Sequence, residues 1–228
     1  MTSESQSGLH EMHLIFIGRL LAGVSHEFKN HLAVIKELNG LLGDLLSAQP
    51  AGGRQDLDRF RQIAATIEER IGQAGRQAGY LNRFAHRLDT TCSAFGVNDV
   101  LQEELSLCSW LARQQKIEVT LSLGADLPMI DSNSSLVQLL IFSLVAPCLE
   151  SLAAGGRVGV ATTSAAGAVR IRVWTEGALK STGALEQKLQ ATASLVATLA
   201  DELRTEIVPT FSASGQAEIS FLLSSFSD

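Results

Sequence analysis

One feature constrains this chain more than any other: ten positions between Leu14 and Leu45 spaced alternately three and four residues apart. The series Leu14, Ile17, Leu21, Val24, Phe28, His31, Ile35, Leu38, Leu42, Leu45 is apolar except at His31, and that spacing puts every member on one stripe of a long helix. It stops at SAQPAGGRQD, where Pro50 and the pair Gly52, Gly53 predict a turn. A second series then runs Leu57, Phe60, Ala64, Ile67, Ile71, Ala74, Ala78, Leu81, Ala85, Leu88. Two helices of about 35 residues joined by a short turn form an antiparallel hairpin. A lone hairpin cannot also bury the flanking Leu20, Leu32, Leu46, Ile63 and Phe84, so a homodimer that pairs two hairpins into a four-helix bundle is expected.

Beyond TTCSAFG the pattern changes to mixed elements. VNDVLQEELSLCSWLARQQ reads as a helix, IEVTLSL as a strand, and SSLVQLLIFSLVAPCLESL as a helix ending before Gly155 and Gly156. RVGVATTS and AVRIRVW form a hairpin of strands, EQKLQATASLVATLADEL a helix, and EIVPTFSAS and AEISFLLS two closing strands. That order predicts an α+β layer: one antiparallel or mixed sheet with helices on one face. The expected division is a helical hairpin over residues 1–92 and an α/β sandwich over residues 93–228.

Composition narrows the partners. The net charge is −6 with no run of lysines or arginines, which gives no electrostatic footprint for nucleic acid or anionic lipid. Cys92, Cys108 and Cys148 form no CxxC pair, so reduced thiols in a cytoplasm are expected rather than a disulfide framework or a zinc site. MTSESQSGLHEMH lacks a basic segment, and no window reaches the roughly 18 uninterrupted apolar residues of a membrane span. Neither an export signal, a membrane helix nor a sensor module ahead of residue 14 is expected. His10 and His13 lack an obvious third ligand for a metal.

The chemistry concentrates in SHEFKNHLAVIKE, residues 25–37. With the apolar series at heptad positions a and d, His26 falls at f and points outward, Asn30 lies four residues on along the same face, and Glu27 sits at the shoulder of the bundle. A carboxylate that accepts from one ring nitrogen fixes the tautomer and makes the other nitrogen a nucleophile. That arrangement suits a phosphoryl acceptor, with Asn30 orienting a phosphoryl oxygen or a water. His31 occupies the seam and is expected to be a core or interface histidine.

S-H-E-F-K-N-H-L-A-V-I resembles the H-box of histidine kinases, S/A-H-E-x-x-N/T-P-L. The resemblance implies that His26 is the phosphoacceptor, Glu27 its acid/base, and Asn30 an aid to phosphatase chemistry. His31 stands where that family commonly has proline. The second half is similar to the family's ATP-binding domain, with its nucleotide positions replaced. In SSLVQLLIFSLVAPCLESL the two N-box asparagine positions hold Ser143 and Pro147, and proline offers no ligand for magnesium. In AVRIRVWTEGAL, Thr175 stands for the adenine-binding aspartate, Gly177 for the first glycine of the motif and Leu179 for the second.

The resemblance therefore points to a histidine phosphotransferase of the ChpT type, a kinase-like homodimer that does not use ATP. It would pass a phosphoryl group between His26 and an aspartate on response-regulator receiver domains, with Mg2+ held by the receiver and no cofactor bound by this chain. Lys29, Ala33 and Lys36 on the first helix, and Asn82, Arg83 and His86 on the second, are the candidate docking residues. Two other readings stay open: a divergent autokinase that still uses ATP, and a non-catalytic adaptor that binds a kinase or regulator.

Overall fold

The helical spacing is realised in a computed structural model that describes residues 3–47, 54–181, 183–212 and 216–226. Helix α1 spans Ser3–Ser47 and α2 spans Arg54–Arg87; the turn expected at Pro50, Gly52 and Gly53 lies outside the described residues. The helices run antiparallel, with the Phe16 ring edge-on to Phe84 at 5.7 Å and His31 sharing a cleft with Arg70 further along.

The stripe that faces inward differs from the expected one in the first half of α1. Phe16, Leu20 and Val24 are buried, whereas Leu14 and Leu21 are 56% and 43% exposed. The cause is tertiary: here α1 lies on the chain's own α/β layer, with Phe16 4.9 Å from the Phe142 ring. For the same reason Leu20 and Phe84, expected to need a second hairpin, are covered within one chain, and Ile63 is buried as well. Leu32, Leu46, Leu57 and Ile71 stay exposed.

A short antiparallel ribbon, β1 (Ser93–Phe95) with β3 (Ile130–Ser132), closes the junction; three-residue strands are too short for periodicity to reveal. The helix expected over residues 97–115 breaks at Cys108 into α3 (Val97–Leu107) and α4 (Ser109–Gln115). Strand β2 (Glu118–Ser122) follows. Asn133 then caps α5 (Ser134–Ser151), accepting from the Ser135 and Leu136 amides at 3.1 Å. Strands β4 (Arg157–Ala165) and β5 (Ala168–Glu176) form a hairpin, α6 (Ala184–Ala191) and α7 (Ala193–Glu202) divide the next predicted helix at Thr192, and β6 (Val208–Phe211) and β7 (Ala217–Leu223) complete the sheet.

Strand order is β2-β4-β5-β7-β6, with β2 parallel to β4 and every other pair antiparallel. The expected mixed sheet is present. Val169, Ile171 and Val173 of β5 and Ile219, Phe221 and Leu223 of β7 point into the core, while Arg170, Arg172 and Leu222 face solvent. On the core side lies α5, long and apolar enough to cross a membrane but 89% buried as the central helix of the layer.

Candidate functional site

Helix α1 presents His26 on an exposed face beside α4. The close approach depends on Gly23, where a Cβ would collide with the Trp110 indole. Arg113, one turn along α4, donates to the Glu27 carboxylate and, at 3.1 Å, to Ser109 Oγ. Glu27 is 7% exposed, so this ion pair is largely shielded from water on the carboxylate side. Burial lowers the Arg113 pKa. His26, Glu27, Asn30, Trp110 and Arg113 line one cleft of about 540 Å³.

Glu27 was expected to orient the His26 ring; its carboxylate is instead turned to Arg113. The ring's neighbour is Asn30, whose Nδ2 is 3.2 Å from His26 Nδ1. Either end of the carboxamide can serve this contact: as placed, Nδ2 donates to an unprotonated Nδ1, and in the reverse orientation the oxygen accepts from Nδ1–H, which leaves Nε2 unprotonated. The spacing of four placed Asn30 correctly but could not assign Glu27, because the competing cation lies on another helix. Arg113 and Trp110 are the residues that sequence reasoning missed, and no local signal in SLCSWLARQQ marks them.

Lys29, Ala33 and Lys36 are exposed and continue from His26 toward the C-terminal end of α1. Asn82, Arg83 and His86 do not join them: neighbouring Phe84 packs on Phe16, about ten residues or ~15 Å along α1 from His26. Arg83 Nε donates to Glu103 at 2.5 Å, alongside Arg87 at 2.8 Å, and His86 contacts Asp89 at 3.3 Å. His31 is half-buried, as a seam residue should be, and burial with the nearby Arg70 charge lowers its pKa.

On the other side of α1, the positions that resemble the N-box are closed. Ser143 Oγ donates to the Leu139 carbonyl at 2.7 Å, and Pro147 lies inside α5. Both line a cavity of about 200 Å³ whose facing wall is Phe16 and Arg19 of α1, below the roughly 300–1,000 Å³ of ordinary ligand pockets. Glu150 accepts from Arg19 at 2.7 Å and Lys188 at 2.9 Å, tying α5 to α1 and α6. Burial alone raises the Glu150 pKa, but the hydrogen bonds from Lys188 and Arg19 outweigh it and the net shift is downward. Thr175 Oγ1 accepts from the Ala217 amide at 3.0 Å on β7. At the positions that resemble the nucleotide motifs, Ser143 is bonded to its own helix, Pro147 has no side-chain oxygen, and Thr175 is engaged in a strand-to-strand hydrogen bond. Among the described residues no cluster of three metal-ligating side chains occurs.

Comparison with known proteins agrees with this architecture. No family model matches the chain. It is 24% identical over 164 residues to the sensor histidine kinase ZraS of Escherichia coli K12, covering 72% of this chain and 34% of that protein. The chain thus spans about a third of the length of the curated relatives it matches. Among solved structures, the catalytic domain of histidine kinase ThkA aligns over 61% of this chain and all of its own, at 14% identity and a TM-score of 0.51. Histidine kinase ThkA in complex with response regulator TrrA aligns over 98% of this chain and 67% of its own, at 15% identity and a TM-score of 0.48. The fold is histidine-kinase-like: a catalytic-domain sheet and helices carrying a helical N-terminal region.

Proposed function

We propose that this chain is a histidine phosphotransferase of two-component signalling, built like a histidine kinase but fed by another protein rather than by ATP. One observation carries the reading: His26 is exposed at an open cleft with Glu27, Asn30 and Arg113, while Ser143 and Thr175, at the positions that resemble the nucleotide motifs, are bonded within the fold. A receiver domain would approach over Lys29, Ala33 and Lys36 and bring its own magnesium, since phosphoryl transfer is dominated by positioning and charge neutralisation. Nε2 of His26 is the nucleophile, and Asn30 holds the ring.

The chain acts as a cytoplasmic homodimer in this reading. Leu32 and Leu46 on α1, and Leu57 and Ile71 on α2, are exposed large apolar residues, and members of each pair lie two heptads apart, which aligns them on one bundle face.

The test mixes the protein with a phosphorylated receiver domain. Label is expected on wild type and not on His26→Gln; labelling of His26 by millimolar ATP alone would instead establish an autokinase. An adaptor role predicts that neither donor labels the protein and that His26→Gln retains its cellular effect.

A further inference from the structure

The cleft beside His26 contains a cation whose hydrogen-bonding capacity is only partly used. One nitrogen of Arg113 serves both the Glu27 carboxylate and the Ser109 hydroxyl. Its Nε and Nη1 bond to no described residue, and the side chain is 57% exposed. A guanidinium carries five N–H donors in a planar fork that matches phosphate oxygens. Of the described residues lining this cleft, Arg113 is the one permanent cation.

Glu27 makes that cation necessary. A phosphoryl group on His26 brings about two negative charges next to a shielded carboxylate, and repulsion at that range is strong where water is partly excluded. Arg113 lines the same cleft as His26 and is already bonded to one of the anions. Gly23 and Trp110 fix its distance, because α4 can sit this close to α1 only where the facing residue has no side chain.

We propose that Arg113 is the phosphoryl-binding residue of this site: held by Glu27 while His26 is free, it offers its open N–H donors to the phosphoryl oxygens once His26 is charged. The inference rests on His26 being the phosphoryl acceptor. In the transfer, Nε2 attacks phosphorus while Nδ1 keeps its proton. The N–P bond forms as the P–O bond to the receiver aspartate breaks, and the electron pair of that bond leaves on the aspartate carboxylate. The acyl phosphate's two negative charges become one on the aspartate and two on a phosphoryl group attached to a singly positive imidazolium, so charge is conserved. Arg113 offsets the new repulsion with Glu27, and thereby sets how far the equilibrium lies toward phosphohistidine.

The experiment measures the equilibrium partition of label between a phosphorylated receiver domain and the full chain. Arg113→Ala is expected to lower the labelled fraction of His26 about tenfold, the scale of a charged hydrogen bond, and Arg113→Lys to lower it less. Glu27→Gln is expected to raise it, because the guanidinium then has one anion to serve. A residue that merely clips α4 to α1 would make Arg113→Ala and Glu27→Gln shift the partition in the same direction, and that result, or a wild-type partition in Arg113→Ala, overturns the proposal. Arg113→Gln, which keeps donors for Glu27 without the charge, replaces Arg113→Ala with the same expectation if the alanine variant melts early. Absence of label on wild type with every receiver tried overturns the acceptor role of His26 itself, and this proposal with it.

Discussion

The two sides of α1 put their polar groups to opposite uses. Toward α4, His26 and Arg113 line a cleft of about 540 Å³ and keep nitrogens that no described residue claims. Toward α5, the cavity is about 200 Å³, Ser143 bonds back to its own helix, and Arg19, Glu150 and Lys188 form an ion-paired tie. One helix therefore exposes the His26 imidazole and, about ten residues or ~15 Å earlier, acts as a wall through Phe16. The difference separates an open cleft from a closed packing contact. It also argues against movement of the α/β layer to deliver phosphate, because separating α1 from α5 would expose Phe16 and Phe142 and break the Arg19–Glu150 pair.

The sharpest break of that comparison is His26→Gln. Receiver-dependent labelling is expected to fall by more than about a thousandfold, since nucleophile and acceptor atom vanish together; the melting temperature should hardly change, because the side chain is exposed. Labelling that survived would place the exchange site elsewhere.

The next largest effect lies in the closed half of the molecule. Glu104 is fully buried, accepts from the Cys108 thiol at 3.0 Å, and has an Oε2 without a hydrogen-bond partner among the described residues. Burial pushes its pKa up to about 8, the thiol bond opposing and the Glu103 charge reinforcing the shift. Because the folded value is raised above the unfolded one, the stabilisation is complete below about pH 4.5 and is lost as pH rises through about 8. Chemical denaturation across that window should show a loss on the order of 4 kcal/mol, and Glu104→Gln should flatten it. A wild-type curve as flat as the variant's would show that this group does not govern the pH dependence.

Smaller again is the effect on assembly. Leu32→Glu puts a charge on the exposed apolar face of the hairpin, and light scattering should show dimer dissociation strengthened about a hundredfold, near 3 kcal/mol. Unchanged mass at every concentration would separate the phosphotransfer reading from the bundle. The smallest change is Gly23→Ala, which forces the Trp110 indole away and should cost about 1–2 kcal/mol in thermal unfolding, with slower labelling of His26 as α4 shifts.

Much of the fold was legible along the chain. The three-four series located both long helices, and strict alternation located β5 and β7, since periodicity follows directly from the geometry of each element. Breaks at Cys108 and Thr192 were not legible, because no Gly or Pro marks them. The face of α1 that packs inward was misread over Leu14 to Leu21, because the heptad register presumes a helical partner and the partner there is α5.

By itself the sequence determined the hairpin, the mixed layer, and the outward placement of His26 with Asn30 on the same face. Those depend on residue identity and on spacings within one element. Only the tertiary structure decided that Glu27 belongs to Arg113, that Phe16 closes the cavity over Ser143, and that Arg83 is turned to Glu103. Each of these joins elements far apart in the chain, and an ion pair or an aromatic contact of that kind follows from how helices dock rather than from any pattern within them.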